Sequence, residues 1–132
     1  INAALKKHLP VIPVGTTALR ALESAAERGK LVGGRGMTKI FIRPGYQFQV
    51  CSGLITNFHV PESSLMMLVA SMVGRKKLLS LYQKALSWEF SFLSFGDAMV
   101  ILPKSSKLGE KSKSQKKVSV LKKKIGKNIS HK

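Results

Sequence analysis

The stretch of residues 43–69 constrains the fold more than any other part of this chain. It contains, in direct succession, a Pro-Gly turn, a pattern of alternating apolar residues, a polar bend and an apolar helix pattern. The bend, residues 56–59 (Thr-Asn-Phe-His), has three side chains with hydrogen-bonding groups. Polar groups between two buried elements are costly unless they find hydrogen-bond partners. The bend is therefore either a structural polar latch or the wall of a binding site.

Strand and helix patterns alternate along residues 1–103, which predicts an α/β fold. Apolar runs and period-two alternation predict strands at 11–14, 40–42, 46–50, 54–56 and 98–102. Helical spacing predicts helices at 17–28, 64–73 and about 75–89. In the first helix, Arg20, Glu23 and Glu27 are expected on a polar face away from the core. We expect a layered or barrel-like mixed sheet with packed helices.

The positive charge of the chain is concentrated near its end. The formal charge is +17 over 132 residues, and residues 104–132 carry eleven Lys against the single acid Glu110. Lys and Ser dominate this segment and aromatic residues are absent from it, which predicts a disordered basic tail. We therefore divide the chain into a folded part, 1–103, and a tail, 104–132. A basic field favours polyanionic partners without identifying them.

Cysteine content and hydropathy indicate the compartment. Cys51 is the only cysteine, so no internal disulfide can form and we expect a reducing environment. The apolar helix pattern at 64–73 is about half of the roughly twenty residues that span a bilayer, and no secretory leader opens the chain. We expect a soluble cytoplasmic protein, without a membrane partner, that is a piece of a longer polypeptide because it begins with Ile1.

The first candidate site lies at residues 15–17 (Gly-Thr-Thr), where a predicted strand leads into a helix. Free backbone N–H groups at a helix start bind carboxylate or phosphate, and Arg20 could add a forked contact. The alternative is structural. One threonine would cap the helix and Arg20 would pair with Glu23 or Ser24.

The second candidate is the polar bend itself. Asn57 and His59 carry donors and acceptors suited to the edge of a heterocycle, and His59 could move protons near neutral pH. The alternative is that both residues bond to backbone groups while Phe58 packs in the core.

The third candidate is the turn at residues 94–97 (Ser-Phe-Gly-Asp) before the last predicted strand. Asp97 either closes the turn locally or accepts a proton or a ribose hydroxyl. We expect the three candidate segments to line one shared cleft.

Several kinds of site are excluded. His8 and His131 have no companions at ligand spacing, and one cysteine cannot support a thiolate zinc site. No P-loop, dinucleotide fingerprint or Ser-His-Asp pattern is present. We therefore expect no metal.

The candidate segments together resemble the C-terminal part of the S-adenosylmethionine:tRNA ribosyltransferase-isomerases of queuosine biosynthesis. The resemblance covers about residues 11–102. The matching blocks are 14–24 (VGTTALRALES), 38–46 (TKIFIRPGY), 54–61 (LITNFHVP), 64–69 (SLMMLV) and 95–99 (FGDAM). Family members are much longer than this chain, and the Lys-rich tail is not a family feature.

The resemblance implies an enzyme that modifies tRNA. It would transfer the ribosyl part of its co-substrate, S-adenosyl-L-methionine, to a 7-aminomethyl-7-deazaguanine base in tRNA and isomerise it. The product would be epoxyqueuosine, with adenine and methionine released. The sulfonium acidifies the neighbouring ribose carbon, so a base is needed there, and a proton donor would help adenine to leave.

The resemblance identifies the segments, and the chemistry of the residues within them suggests individual roles as hypotheses. The catalytic residues would be Asp97 and His59. The substrate-binding residues would be Gly15, Thr16, Thr17 and Arg20, for the methionine carboxylate or a tRNA phosphate, and Thr56, Asn57 and Phe58, with Asn57 on a base edge. The competing hypothesis is an inactive fragment that acts only as a basic RNA-binding module. We expect a monomer in either case.

Overall fold

The computed structural model of the chain describes residues 1–94, 96–102 and, as backbone, 117–121. Helices and short strands are mixed along these residues. The helices are α1 (Asn2–Lys6), α2 (Thr16–Ser24), α3 (Ser64–Val73) and α4 (Arg75–Ser87). The strands are β1 (Ala26–Glu27), β2 (Lys30–Leu31), β3 (Leu54–Asn57), β4 (Ala98–Leu102) and β5 (Lys117–Leu121). The mixed α/β class is confirmed.

The main sheet has three antiparallel strands in the order β3, β4, β5. Leu54 is opposite Ile101, and Asn57 is opposite Ala98. Over the described residues this sheet is open, so the barrel-like alternative is wrong there. Gly53 lies where a side chain would overlap the carbonyl oxygen of Ile101, which explains why glycine precedes β3.

The predicted strand at 11–14 is reduced to a single parallel bridge between Val14 and Ile55. The segment still runs beside β3. The N–H of Ile55 donates to the carbonyl of Pro13 at 2.9 Å, and that of Gly15 donates to Ile55 at 2.7 Å. A longer ladder is prevented because Pro13 has no N–H to donate.

One cluster of buried apolar side chains joins α2, the sheet and helices α3 and α4. Leu19, Leu54, Phe58, Val69, Ala85 and Ile101 are all fully buried in it. The start and end of α3 follow the prediction. The hydroxyl of Ser63 accepts from the N–H of Met66 at 3.2 Å, and Gly74 ends the helix with a φ of 86°. Among the described residues, no helix is long and apolar enough to cross a bilayer.

The first predicted helix ends earlier than expected. It was predicted to continue to residue 28, but α2 ends at Ser24 and a two-stranded hairpin follows. Arg28 and Gly29 both have positive φ, 49° and 75°, between strands paired Glu27 to Lys30. Two central residues with positive φ are typical of the type I′ turn that closes two-residue hairpins.

The predicted strands at 40–42 and 46–50 are wrong, because neither segment pairs with another strand. Alternation does appear as burial, with Tyr46 and Phe48 half-buried, Val50 buried and the two glutamines between them exposed. The backbone there bonds instead to a side chain. The carboxylate of Glu23 accepts the N–H groups of residues 49, 50 and 51 at 2.9, 3.1 and 2.8 Å.

The predicted disorder of 104–132 is wrong for Lys117–Leu121, which pairs with β4 along its length. Residues 103–116 and 122–132, which hold the rest of the predicted tail, lie outside the described residues. The boundary between 1–103 and 104–132 stays a prediction.

Candidate active site

The sheet brings two of the three candidate segments together and places the third beside them. Asn57 ends β3 opposite Ala98, the residue after Asp97. The segment 11–14 runs parallel to β3 and ends at Gly15, which bonds to Ile55. The bend, the turn that holds Asp97 and the start of α2 therefore lie at the same end of the sheet, where β3 ends and β4 begins.

The polar bend is held by hydrogen bonds at each polar position. The Oγ1 of Thr56 and the Nε2 of His59 are 2.8 Å apart. The amide Nδ2 of Asn57 donates to the carbonyl of Leu93 at 3.1 Å, and the N–H of His59 donates to the hydroxyl of Tyr82 at 2.8 Å. The bend is therefore a latch, but the structural alternative is only partly correct: Asn57 bonds to a backbone carbonyl as it predicted, whereas the His59 ring bonds to the Thr56 side chain.

Phe58 anchors the bend in the core. Its side chain is fully buried, and its ring centroid lies 4.8 Å from that of Phe92 and 5.3 Å from that of Tyr82. Its carbonyl accepts the N–H of Leu93 at 3.0 Å, which ties the bend to the 91–97 loop. Phe58 packs in the core, whereas the residues on either side of it, Asn57 and His59, are only partly buried.

The latch also forms the wall of a pocket. A cavity of about 290 Å³ is lined by polar residues of the bend and of the facing loop, with apolar residues between them. The lining residues are Asn57, Phe58, His59, Val60, Ser63, Leu65, Leu93 and Ser94. The bend is thus held by hydrogen bonds and also borders a pocket, and its role in binding stays a prediction.

His59 is held uncharged near neutral pH. Burial lowers its pKa below the usual 6.5, because the charged imidazolium is poorly solvated there. Burial also raises the pKa of the Tyr82 hydroxyl, while the hydrogen bond from the His59 backbone opposes that shift. A neutral imidazole has one donor and one acceptor nitrogen, so His59 could form a hydrogen bond with a ligand in the pocket.

Asp97 closes its own loop, as the local alternative predicted. Its Oδ2 accepts the N–H of Ser91 at 2.7 Å, and its N–H donates to the Ser91 carbonyl at 2.8 Å. Only 5% of the residue is exposed. Gly96 is required in this loop because a side chain would overlap the carbonyls of Ser91 and Phe92. Asp97 thus lies at the start of β4, directly before the residue that pairs with Asn57.

At the start of α2, the structural alternative is wrong. Gly15 is the N-cap, with a φ of 89°, and no side chain caps the helix. Thr16 is buried and Thr17 exposed, within the helix itself. Arg20 pairs with neither Glu23 nor Ser24, and donates instead to the carbonyl of Ile40 at 3.2 Å. These residues do not line the pocket at the bend, so a single shared cleft is not seen among the described residues.

Glu23 and Tyr82 are the important polar residues that sequence reasoning missed. Glu23 was predicted on an exposed polar face, but only 2% of it is exposed, and its carboxylate also accepts the Tyr46 hydroxyl at 3.1 Å. The spacing from Leu19 to Glu23 is one helical turn, which places both on the core face and could have identified it. Tyr82 lies in α4, and no pattern in the sequence signals its bond to His59.

Within the part of the chain that the structure describes, no three His, Cys, Asp or Glu side chains are grouped to hold a metal ion.

Comparison with known proteins identifies the class to which this fold and site belong. The profile of a family described as "Queuosine biosynthesis protein" matches residues 1–101. That range includes the start of α2, the polar bend, Asp97 and most of β4. The chain therefore belongs to this family.

Individual relatives are more specific. The chain is 56% identical over 95 residues to a protein of Acaryochloris marina, 52% identical over 103 residues to one of Desulforamulus reducens, and 53% identical over 102 residues to one of Legionella pneumophila. Each is named S-adenosylmethionine:tRNA ribosyltransferase-isomerase. The matches cover 72–77% of this chain but only 26–30% of the relatives.

The fold is also similar to a solved structure. The crystal structure of S-adenosylmethionine tRNA ribosyltransferase from Thermotoga maritima superposes with a TM-score of 0.69 at 39% identity. The match covers 74% of this chain and 34% of that one. The chain thus spans about a quarter to a third of the proteins it matches.

Proposed function

We propose that this chain is the C-terminal part of an S-adenosylmethionine:tRNA ribosyltransferase-isomerase. The reaction transfers the ribosyl unit of S-adenosylmethionine to 7-aminomethyl-7-deazaguanine in tRNA and isomerises it to give epoxyqueuosine. Adenine and methionine leave. The observation that carries this proposal is the pocket at the bend, because it lies within the stretch that is 52–56% identical to proteins named for this activity.

The pocket supports binding of one portion of the co-substrate. Pockets for whole small molecules are typically about 300–1,000 Å³, and this one is about 290 Å³. Apolar walls from Val60, Leu65 and Leu93 with polar groups from Asn57 and His59 suit a flat heterocycle such as adenine. The remaining walls for the sugar, methionine and tRNA would come from the rest of the longer protein.

The proposed roles follow the chemistry that the reaction needs. His59 would serve proton exchange with the leaving base, and Asn57 would bind a base edge through its Oδ1. Asp97 would serve the acidic ribose carbon. This role is supported by the carboxylate chemistry of Asp97 and by its position next to Ala98, which pairs with Asn57. In the structure, the Oδ2 of Asp97 accepts a hydrogen bond from Ser91. The other predicted binding residues at the start of α2 would meet a carboxylate or phosphate through uncapped backbone N–H groups.

The test uses the complete protein encoded around this chain. It should release adenine from S-adenosylmethionine only when tRNA bearing the precursor base is present. Asp97→Asn keeps an acceptor oxygen for Ser91, so it should preserve folding while lowering kcat by about 10²-fold or more. Unchanged turnover in this variant would reassign Asp97 to the loop alone.

The alternative is a basic RNA-binding module without chemistry, and the charge of +17 predicts RNA binding under both hypotheses. This alternative predicts tRNA binding with the same salt sensitivity as the enzyme but no adenine release. Absence of release from the complete, folded protein, together with intact tRNA binding, would support this alternative and contradict the enzyme proposal.

A further inference from the structure

His59 is held at two points by residues that do not face the pocket. Its ring meets the hydroxyl of Thr56 through Nε2 at 2.8 Å, and its backbone N–H meets the hydroxyl of Tyr82 at 2.8 Å. Thr56 is 4% exposed and Tyr82 is 6% exposed, so both contacts are shielded from water. The ring therefore has a fixed orientation before any ligand arrives.

The direction of the bond between Thr56 and His59 follows from the donors and acceptors present. The buried Thr56 hydroxyl has one proton to donate, and Nε2 is its hydrogen-bond partner among the described residues. Burying a hydroxyl without an acceptor is costly. If the hydroxyl donates to Nε2, the neutral ring must carry its proton on Nδ1.

We infer that Thr56 and Tyr82 are positioning residues that present His59 to the pocket as a Nδ1–H donor. Thr56 selects the tautomer, and Tyr82 fixes the backbone from which the ring projects. Nδ1 forms no hydrogen bond with the described residues and is the ring nitrogen left for a ligand. This assigns Thr56 to His59 rather than to the substrate. Its importance for turnover rests on the proposed function, whereas the tautomer does not.

The ligand chemistry that suits this donor is a ring nitrogen of a nucleobase with a free lone pair. A fixed N–H aimed at a base that gains electron density as it leaves stabilises that charge without reorganisation. An uncharged imidazole can play this part as a hydrogen-bond donor when its environment keeps it neutral. The lowered pKa of His59 is consistent with such an environment.

Long-range ¹H–¹⁵N spectra of the full 132-residue chain test the tautomer directly, without tRNA or S-adenosylmethionine. The His59 signals are assigned by their loss in His59→Asn. We expect a protonated Nδ1 and an unprotonated Nε2. Thr56→Val should move the proton towards Nε2, Thr56→Ser should restore the original tautomer, and Thr38→Val, on the exposed loop, should change nothing.

Tyr82→Phe tests the second contact and retains the aromatic packing on Phe58. We expect the backbone amide of His59 to exchange about fivefold to tenfold faster, as the loss of one hydrogen bond implies. In the complete enzyme, Thr56→Val should lower kcat by about 10²-fold with little change in KM, and Thr56→Ser should recover it.

A protonated Nε2 in the unsubstituted chain would overturn the inference, even if Thr56→Val failed to fold. A tautomer unchanged in folded Thr56→Val would do the same. Neither result depends on adenine release, so failure of this inference and failure of the proposed function give different observations.

Discussion

Glu23 shows how a single buried carboxylate can replace a strand partner. Its two oxygens accept three consecutive backbone N–H groups, from Gln49, Val50 and Cys51, and the hydroxyl of Tyr46. Hydrogen bonds from backbone N–H groups to a carboxylate are among the stronger ones in proteins. The segment that leads into β3, and from there to the bend, is therefore fixed by one side chain of α2.

We expect Glu23→Gln to lower the free energy of unfolding by about 2–3 kcal/mol. The amide NH₂ would face backbone N–H groups and leave buried donors without an acceptor. Urea denaturation of the full chain measures the change. Glu27→Gln, on an exposed residue four positions later, is the matched control and should change stability by no more than about 0.5 kcal/mol.

Tyr46 provides a second measurement of the same contact. Burial and, after it, the charge and hydrogen bond of Glu23 raise the pKa of the Tyr46 hydroxyl to about 12. In Glu23→Gln this pKa should fall towards the usual 10, as followed by ultraviolet absorption. Equal stability and an unchanged Tyr46 titration in Glu23→Gln would contradict the account of this contact.

The lowered pKa of His59 predicts a pH dependence of stability. As pH falls below the usual 6.5, the unfolded chain binds a proton at His59 before the folded chain does. The contribution of His59 to stability is therefore complete above pH 6.5 and decreases from there down to its folded-state pKa. Between pH 5 and 8, the unfolding midpoint should decrease as the pH is lowered in the unsubstituted chain and in His8→Asn. It should decrease less in His59→Asn. An identical pH dependence in all three proteins would show that it comes from groups other than His59.

At the scale of elements, β5 completes the sheet that carries the site. It pairs with β4 from Ala98 to Leu102, and β4 in turn pairs with β3 at the bend. Without β5, the edge of β4 that faces away from β3 would lose its backbone hydrogen-bond partners. The strand therefore supports the site although it lies among the lysines at the end of the chain.

A pair of truncations tests this support. A chain ending at residue 102 should unfold at a lower urea concentration than one ending at residue 121, because only the longer chain retains β5. Equal midpoints for both truncations would show that β5 does not stabilise the sheet.

Sequence patterns predicted elements well where local chemistry determines them. The α3 helix could be predicted because Ser63 caps it and Gly74 ends it, and β4 because its apolar run follows a Gly-Asp turn. The alternation at 46–50 predicted burial correctly, but alternation does not say what the backbone will bond to. A side chain from α2 took the place of a neighbouring strand.

The candidate site was predictable as a set of segments but not as a geometry. The order of the blocks identified the bend, the Asp97 turn and the start of α2. Contacts such as the one between His59 and Tyr82 join residues 23 positions apart, and no local spacing encodes them. Arg20 likewise reaches the Ile40 carbonyl rather than a neighbour on its own helix.

At the scale of the whole molecule, the chain is basic, and its candidate pocket lies at the end of a small sheet, where β3 ends and β4 begins. Its relatives are three to four times longer than the part they share with it, since the matches cover 26–30% of them. The pocket at the bend, at about 290 Å³, is at the small end of the range for small-molecule sites. We propose that this chain supplies one wall of the complete active site, with His59 as its central group.

A chimeric enzyme tests that claim most directly. Residues 1–101 of this chain replace the matching segment of the Desulforamulus reducens relative, to which the chain is 52% identical, and adenine release is measured with precursor-bearing tRNA. We expect the chimera to release adenine. When it also carries His59→Asn, kcat should fall by at least about 10²-fold, while both proteins remain folded and bind tRNA equally. Equal release by the two folded chimeras would contradict that claim.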